Sequence, residues 1–136
     1  MWRIIRSLFT GFTARVRLND IHTEDFNIYT GVIQGSRSGP TLFNVFFAPL
    51  LRELNEMRGV TMSNGTKISC IAYADDLVLI ANTRGDLLNL VTHCAGFARA
   101  NEFWFSGAKS KTMVFYSRGS VGGPVVLDGC NLERVK

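Results

Sequence analysis

Ile68-Ser69-Cys70-Ile71-Ala72-Tyr73-Ala74-Asp75-Asp76-Leu77-Val78-Leu79-Ile80-Ala81 governs the architecture of this chain. Two apolar runs, 68–72 and 77–81, flank Tyr73-Ala74-Asp75-Asp76. Both runs are rich in β-branched residues and too short for typical helices, which predicts two buried strands joined by a tight turn. Adjacent carboxylates then stand at the tip of a hairpin with hydrophobic walls. Like charges held close together push one pKa upward where solvent is scarce. A divalent cation removes that difficulty, and hard oxygen ligands suit Mg²⁺. Asp is also a favoured turn residue, so the tetrapeptide alone reads equally well as turn chemistry.

Outward from the hairpin, the hydrophobic spacing alternates between helix and strand. Trp2, Ile5, Leu8, Phe9 and Phe12 recur at helical spacing and predict an opening helix that ends near Gly11. Residues 14–18 alternate apolar positions with Arg15 and Arg17, a half-buried strand. Asn19-Asp20 predicts a turn, and 26–32 a second strand. Pro40 suits the first position of a helix over 40–58, with Leu42, Phe43, Phe46, Leu50, Leu54 and Met57 as its buried stripe and Gly59 as its stop. Thr83 or Asp86 caps a third helix over 87–100. Short strands over 112–116 and 125–127 follow, joined by the glycines of 119–123. Strands arranged in hairpins with helices between them define an α+β fold with an antiparallel sheet.

A length of 136 residues, 46% of them hydrophobic, suffices for one domain with a real core. Charged residues reach only 19%, against about a quarter in typical domains. That deficit suits a piece of a longer protein whose neighbours cover apolar surface. The net charge of +4 is compatible with a polyanionic partner without establishing one. Arg3, Arg6, Arg15 and Arg17 precede the first acid, and Arg99, Lys109, Lys111 and Arg118 gather later; either group alone reads as a solvated face. Cys70, Cys94 and Cys130 lack CxxC spacing and are expected as reduced thiols of an intracellular protein, Cys70 as a packing residue. No apolar run approaches the ~20 residues of a membrane span. Residues 1–12 carry arginines and lack a signal-peptide core. Nothing distinguishes nucleus from cytoplasm.

Two further segments carry chemistry. Gly31-Val32-Ile33-Gln34-Gly35-Ser36-Arg37-Ser38-Gly39-Pro40-Thr41-Leu42-Phe43-Asn44 is a glycine-rich loop entering a helix. Glycines let a backbone approach a ligand closely, and the Gln34 amide both donates and accepts hydrogen bonds, which is useful against a nucleotide. By composition alone it is an ordinary connecting loop. Phe105-Ser106-Gly107-Ala108-Lys109-Ser110-Lys111-Thr112-Met113-Val114-Phe115 presents lysines just before a strand, where they could meet phosphate as mobile point charges or form a solvated turn.

Taken in order, the three segments resemble the palm of a reverse transcriptase of the non-LTR (LINE-like) retrotransposon type. That family carries Gly-Val-x-Gln-Gly-x-x-x-Ser-Pro-x-Leu-Phe-Asn, then Tyr/Phe-Ala-Asp-Asp, then Asn-x-x-Lys-Thr-Lys-x-Met-Val-Phe. Group II intron proteins also carry Tyr-Ala-Asp-Asp, but Leu42-Phe43-Asn44 fits the retrotransposon type better. The resemblance implies a palm-type antiparallel sheet with helices packed on one face, and an RNA-directed DNA polymerase using Mg²⁺ or Mn²⁺ in a two-metal mechanism. It implies Asp75 as a direct catalytic metal ligand, with Asp76 ligating less directly or shaping the local charge. Tyr73 packs near the primer end, and Gln34 and Gly35 line the nascent base pair and template. Lys109 approaches the phosphates of the incoming nucleotide, while Arg37 and Lys111 contact nucleic-acid backbone weakly. The implied partners are an RNA template, a DNA primer and deoxynucleoside triphosphates, with no membrane.

The family pattern also includes an aspartate on an earlier palm strand, in a Phe/Leu-x-Asp context. Nothing before Gly31 fits it; Asp20 and Asp25 lie at a predicted turn and strand entrance and are poor substitutes. Residues 1–136 are therefore expected to be a partial palm, from the glutamine motif to the approach of the primer grip, without upstream fingers, first catalytic strand or thumb. Gly39 stands where the family has Ser, Ser106 where it has Asn, and Glu102 where it has Gly. The expected behaviour is weak divalent-metal binding without polymerisation by this chain alone. The alternatives are a catalytically inactive remnant that retains nucleic-acid binding, and a plain structural module in which Asp75-Asp76 is only a turn.

Overall fold

The structure, a computed structural model, describes residues 2–8, 10–29, 31, 35–115 and 122–135. The chain divides into two compact units, Met1–Phe46 and Phe47–Lys136.

The first unit opens with α1 (Trp2–Leu8), and Gly11 takes a left-handed φ of +78° beyond its end. Phe9, counted in the predicted stripe, lies outside the described residues. Four short strands follow: β1 (Thr13–Ala14), β2 (Arg17–Leu18), β3 (Ile21–His22) and β4 (Phe26–Asn27). β2 and β3 form a hairpin around the predicted turn at Asn19-Asp20, with Asn19 at φ +55°; β3 is not among the predicted strands. β1 pairs antiparallel with β4. The strand predicted over 14–18 is broken at Arg15-Val16, where Val16 N–H donates instead to the Thr23 hydroxyl at 3.0 Å. The strand predicted over 26–32 shortens to β4, and residue 32 lies outside the described residues.

Helix α2 (Gly39–Glu56) begins in the first unit and ends in the second. Gly39 brings no hydroxyl to the helix entrance, but Ser36 does: Gly39 N–H donates to Ser36 Oγ at 2.9 Å. Pro40 then occupies the first turn, where its missing N–H costs nothing. Within the second unit the helix buries Phe47, Leu50 and Leu54. Phe46, which was expected in that stripe, is 40% exposed, and Phe47 takes its place at 4%.

The second unit contains β5 (Val60–Thr61), β6 (Lys67–Ile68), β7 (Cys70–Tyr73), β8 (Asp76–Leu79), α3 (Arg84–Ala100), β9 (Lys111–Met113), β10 (Val126–Leu127), β11 (Cys130–Asn131) and β12 (Glu133–Val135). The pairs β5–β6, β7–β8 and β10–β11 are antiparallel, while β9 and β12 pair in parallel. The fold is α+β with small, mainly antiparallel sheets, as the sequence predicts. Among the described residues the strands pair in twos. Its core gathers Val91 and Ala95 of α3 with Val125, Leu127 and Leu132, flanked by Leu79, Leu87, Leu88 and Phe105. Phe103 links the rings of Phe47, Phe97 and Phe105, with centroids 5.3–6.5 Å apart.

Both ends of α3 are capped by local chemistry. Thr83 is the N-cap: its hydroxyl accepts from Asp86 N–H at 3.1 Å and donates to the Asp86 carboxylate at 2.6 Å. At the other end Phe103 N–H reaches Ala98 O and Glu102 N–H reaches Arg99 O, the two bonds of a Schellman motif. Phe103 packs against Phe97, which supplies the hydrophobic contact that accompanies this motif. The motif forces Glu102 to φ +58°, a left-handed conformation that costs a non-glycine residue about 1–2 kcal/mol. The family's glycine at this position thus has a backbone reason. Glu102→Gly is expected to stabilise the fold by about 0.5–1 kcal/mol, because part of the relieved strain is offset by chain entropy. Urea denaturation measures it; a midpoint that fell would contradict the assignment.

Candidate active site

The hairpin β7–β8 is closed by the two residues Ala74 and Asp75, with Tyr73 directly opposite Asp76. Ala74 lies at φ +51°, so the turn holds a non-glycine residue in left-handed geometry. Tyr73, Asp75 and Asp76 are all exposed. Among the described residues neither carboxylate has an ion-pair or hydrogen-bond partner. Two unengaged carboxylates, one in the turn and one at the start of β8, supply hard oxygen donors suited to a divalent cation.

Alternation along the ribbon separates two faces. Cys70, Ala72, Leu77 and Leu79 are half-buried, while Ile71, Tyr73, Asp76 and Val78 face outward. The expectation of fully buried strands is therefore corrected: Ile71 and Val78, paired across the ribbon, are each 54% exposed. A two-stranded ribbon packed on one side leaves its other face open, even where both faces carry apolar residues.

The base of the hairpin is fastened to the end of α2. Ser69, at the bend between β6 and β7, is fully buried, and its hydroxyl donates to Leu54 O at 2.6 Å. Lys67 Nζ donates to Glu56 O at 3.3 Å. These side chains satisfy carbonyls that a helix end leaves without intrahelical partners. Ile80 N–H donates to Ser69 O at 2.8 Å, extending the pairing by one step. Gly59 was expected to stop the helix. The helix instead ends at Glu56, and Gly59 serves close approach: a Cβ there would lie 2.2 Å from Ile68 O and 2.7 Å from Ser69 Cα. Ser69, a lone polar residue in an apolar run, carried no sequence signal of this role.

The thiols near the hairpin are held neutral. Burial pushes the Cys94 thiol up to about 12, and the neighbouring Cys70, which would repel a second thiolate, adds to the shift. Burial also raises Cys70, opposed by its hydrogen bond with Ser69. Both act as packing groups.

The remaining candidates sit on other elements. Lys109 is exposed in the turn leading to β9. Lys111, on β9, pairs with Glu133 of β12. Gly35, at φ +83°, has open space where a side chain would go, and Arg37 is exposed; both belong to the first unit. Gln34 lies outside the described residues. Asp25 is engaged by Arg15 at 2.9 Å, and Asp20 faces Arg17 at 4.0 Å. The described residues contain no group of three side chains arranged to hold a metal. No helix among them is long and apolar enough to cross a membrane.

A family model described as "Reverse transcriptase (RNA-dependent DNA polymerase)" matches residues 2–128, nearly the whole chain. The chain belongs to the reverse transcriptase family. It is 35% identical over 99 residues to the retrovirus-related Pol polyprotein from type-1 retrotransposable element R2 of Popillia japonica, a match covering 71% of this chain and 16% of that protein. It is 46% identical over 57 residues to the corresponding R2 polyprotein of Nasonia vitripennis, covering 42% of this chain and 6% of that one. These relatives agree with the non-LTR retrotransposon type that the motifs resemble. The chain spans less than a fifth of the length of the relatives it matches. No solved structure matches.

Proposed function

We infer that the chain is a palm segment of an RNA-directed DNA polymerase that acts within a longer polypeptide. The observation that carries this reading is the exposed, unengaged pair at the hairpin tip, Asp75 in the two-residue turn and Asp76 at the start of β8, in a chain of the reverse transcriptase family. Asp75 and Asp76 would hold Mg²⁺ or Mn²⁺, Asp75 directly from the turn and Asp76 less directly from the first position of β8. When bound, two such ions would stabilise the attacking and leaving oxygens of in-line phosphoryl transfer.

The chain's own residues position the strands. Tyr73 offers an exposed ring on the same face as Asp76, suited to packing against the primer end. Gln34 and Gly35 line the nascent base pair and template. Lys109 meets the phosphates of the incoming deoxynucleoside triphosphate, and Arg37 and Lys111 contact backbone phosphate weakly, Lys111 by exchanging Glu133 for it. Residues 1–136 form a partial palm of an intracellular enzyme, with fingers, first catalytic strand and thumb contributed by other segments.

Melting the chain against Mg²⁺ or Mn²⁺ tests the site. A cation that prefers the folded state stabilises it by about 1.4 kcal/mol at tenfold excess over Kd. The expected result is a saturable rise in Tm that Asp75→Asn abolishes, with no template-directed incorporation by the chain alone. A Tm indifferent to the metals, or a rise that Asp75→Asn preserves, would remove the assignment.

A second reading is a catalytically inactive remnant that binds nucleic acid through its basic surface. The engagement of Asp25 by Arg15, and the want of a third metal-holding side chain among the described residues, favour it. It predicts nucleic-acid affinity that falls steeply with salt and ignores divalent metal.

A further inference from the structure

A cavity of about 320 Å³ opens beside the start of α3, with Val60, Leu87 and Val114 on its apolar wall and Arg84, Thr112 and Arg134 on its polar one. The two arginines converge on one short segment of main chain. Arg84 donates from Nε to Gly123 O at 3.2 Å and from Nη2 to Pro124 O at 2.9 Å. Arg134 donates from Nη2 to Gly122 O at 3.2 Å. Three successive carbonyls therefore hold two guanidinium groups together, although Arg84 lies 39 residues from the segment. Gly122 makes this possible: a Cβ there would lie 3.0 Å from Arg84 Cδ, and its φ of +71° disfavours any side chain.

Neither arginine has a carboxylate partner among the described residues, whereas Arg15, Arg17 and Arg99 each do. Neutral carbonyls orient the two cations without neutralising the charge of either. A guanidinium carries five N–H donors, so Arg84 keeps three and Arg134 four beyond the bonds described. Donors left over, excess positive charge and an adjoining cavity together describe a receptor for a compact anion with several acceptor oxygens. Planar guanidinium forks match carboxylate and phosphate alike, and phosphate brings the greater number of acceptor oxygens to the donors left over.

We propose that Arg84 and Arg134 form a phosphate-binding site on the second unit, and that its ligand is a phosphodiester of a nucleic-acid strand. The strand as source rests on the reading of the chain as a polymerase palm segment. The site itself rests on the arginine geometry alone. A nucleoside triphosphate carries the same chemistry and is the other source to be distinguished.

The test uses the 136-residue chain. Three probes are compared: inorganic phosphate, a deoxynucleoside triphosphate in EDTA, and a labelled single-stranded oligonucleotide without terminal phosphates. Phosphate is expected to raise Tm above chloride of equal ionic strength, and the rise is expected to vanish in the double variant R84Q/R134Q. Oligonucleotide affinity in that variant is expected to fall about tenfold at low salt, with a log–log salt slope shallower by roughly 0.7 to 1.4, the contribution of one or two phosphate contacts. R84K/R134K keeps both charges but loses the fork, so it should retain most of the slope while melting lower. A Tm no higher in phosphate than in chloride overturns the site and needs no variant. An unchanged slope in R84Q/R134Q that is folded by circular dichroism reduces the arginines to a clasp on Gly122–Pro124. Triphosphate binding without oligonucleotide binding overturns the strand as ligand. Asp75→Asn should leave all these responses intact, so loss of the metal response and loss of the phosphate response fail separately.

Discussion

Asp75→Asn, in a polypeptide that includes the upstream palm strand, is expected to lower primer extension on an RNA template by about a thousandfold or more. The substitution preserves size and the turn but removes the charge of the carboxylate that the hairpin holds farthest forward. Loss of one metal-ligating charge from a phosphoryl-transfer site removes several kcal/mol of transition-state stabilisation, and each 1.36 kcal/mol is tenfold in rate. Asp76→Asn should cost less, about ten- to a hundredfold, because Asp76 starts β8 opposite Tyr73 and not within the turn. RNA affinity should stay within about twofold in both variants, since neither residue supplies positive charge to the phosphates. Primer extension in Mg²⁺, with RNA binding measured in parallel, decides the matter. An Asp75→Asn enzyme within tenfold of the unaltered one would show that the turn does not hold the catalytic ion.

The hairpin was legible because its signals are local. β-branched runs set the strands, and Tyr73-Ala74-Asp75-Asp76 set the turn to within one residue. Its burial was not legible: a continuous apolar run reads as covered on both faces, yet Ile71 and Val78 face outward. Which face is covered depends on neighbours that a local window does not contain. The end of helix α3 at Ala100 was legible from the apolar spacing, but it starts at Arg84, three residues before the predicted 87, because Thr83 and not Asp86 is the cap; β5, β11 and β12 are too short to carry a period. The parallel partnership of β9 with β12 joins strands that flank a whole intervening ribbon, and no local pattern announces it. Glu102 is instructive in another way. As a letter it was only a departure from the family pattern, and its φ of +58° turns the departure into a measurable strain. At the site, Asp75 and Asp76 could be read from sequence because the motif is contiguous. Arg84 and Arg134 could not, because their common point at Gly122–Pro124 exists only after folding.

Gly59→Ala should be the most damaging single methyl in the second unit. A Cβ on Gly59 would sit 2.2 Å from Ile68 O and 2.6 Å from Ile68 C, and both are main-chain atoms that cannot swing aside. Relief requires the backbone at Ile68-Ser69 to shift, and that segment is already fixed from both sides. Ser69 donates to Leu54 O, and Ser69 O accepts from Ile80 N–H. Moving it strains the buried hydroxyl bond and the first rung of the hairpin together. Overpacking of this kind costs about 3 kcal/mol, which corresponds to a fall in Tm of roughly 10 °C for a chain of this size. The damage should also reach function: a displaced Ser69 tilts the ribbon that carries Asp75, so the metal-dependent rise in Tm should shrink along with the Tm itself. Thermal melting with and without Mn²⁺ measures both effects at once. A Gly59→Ala chain that melts within 2 °C of the parent would mean that Gly59 is not packed against Ile68, and the fastening of the hairpin to α2 would have to be redrawn.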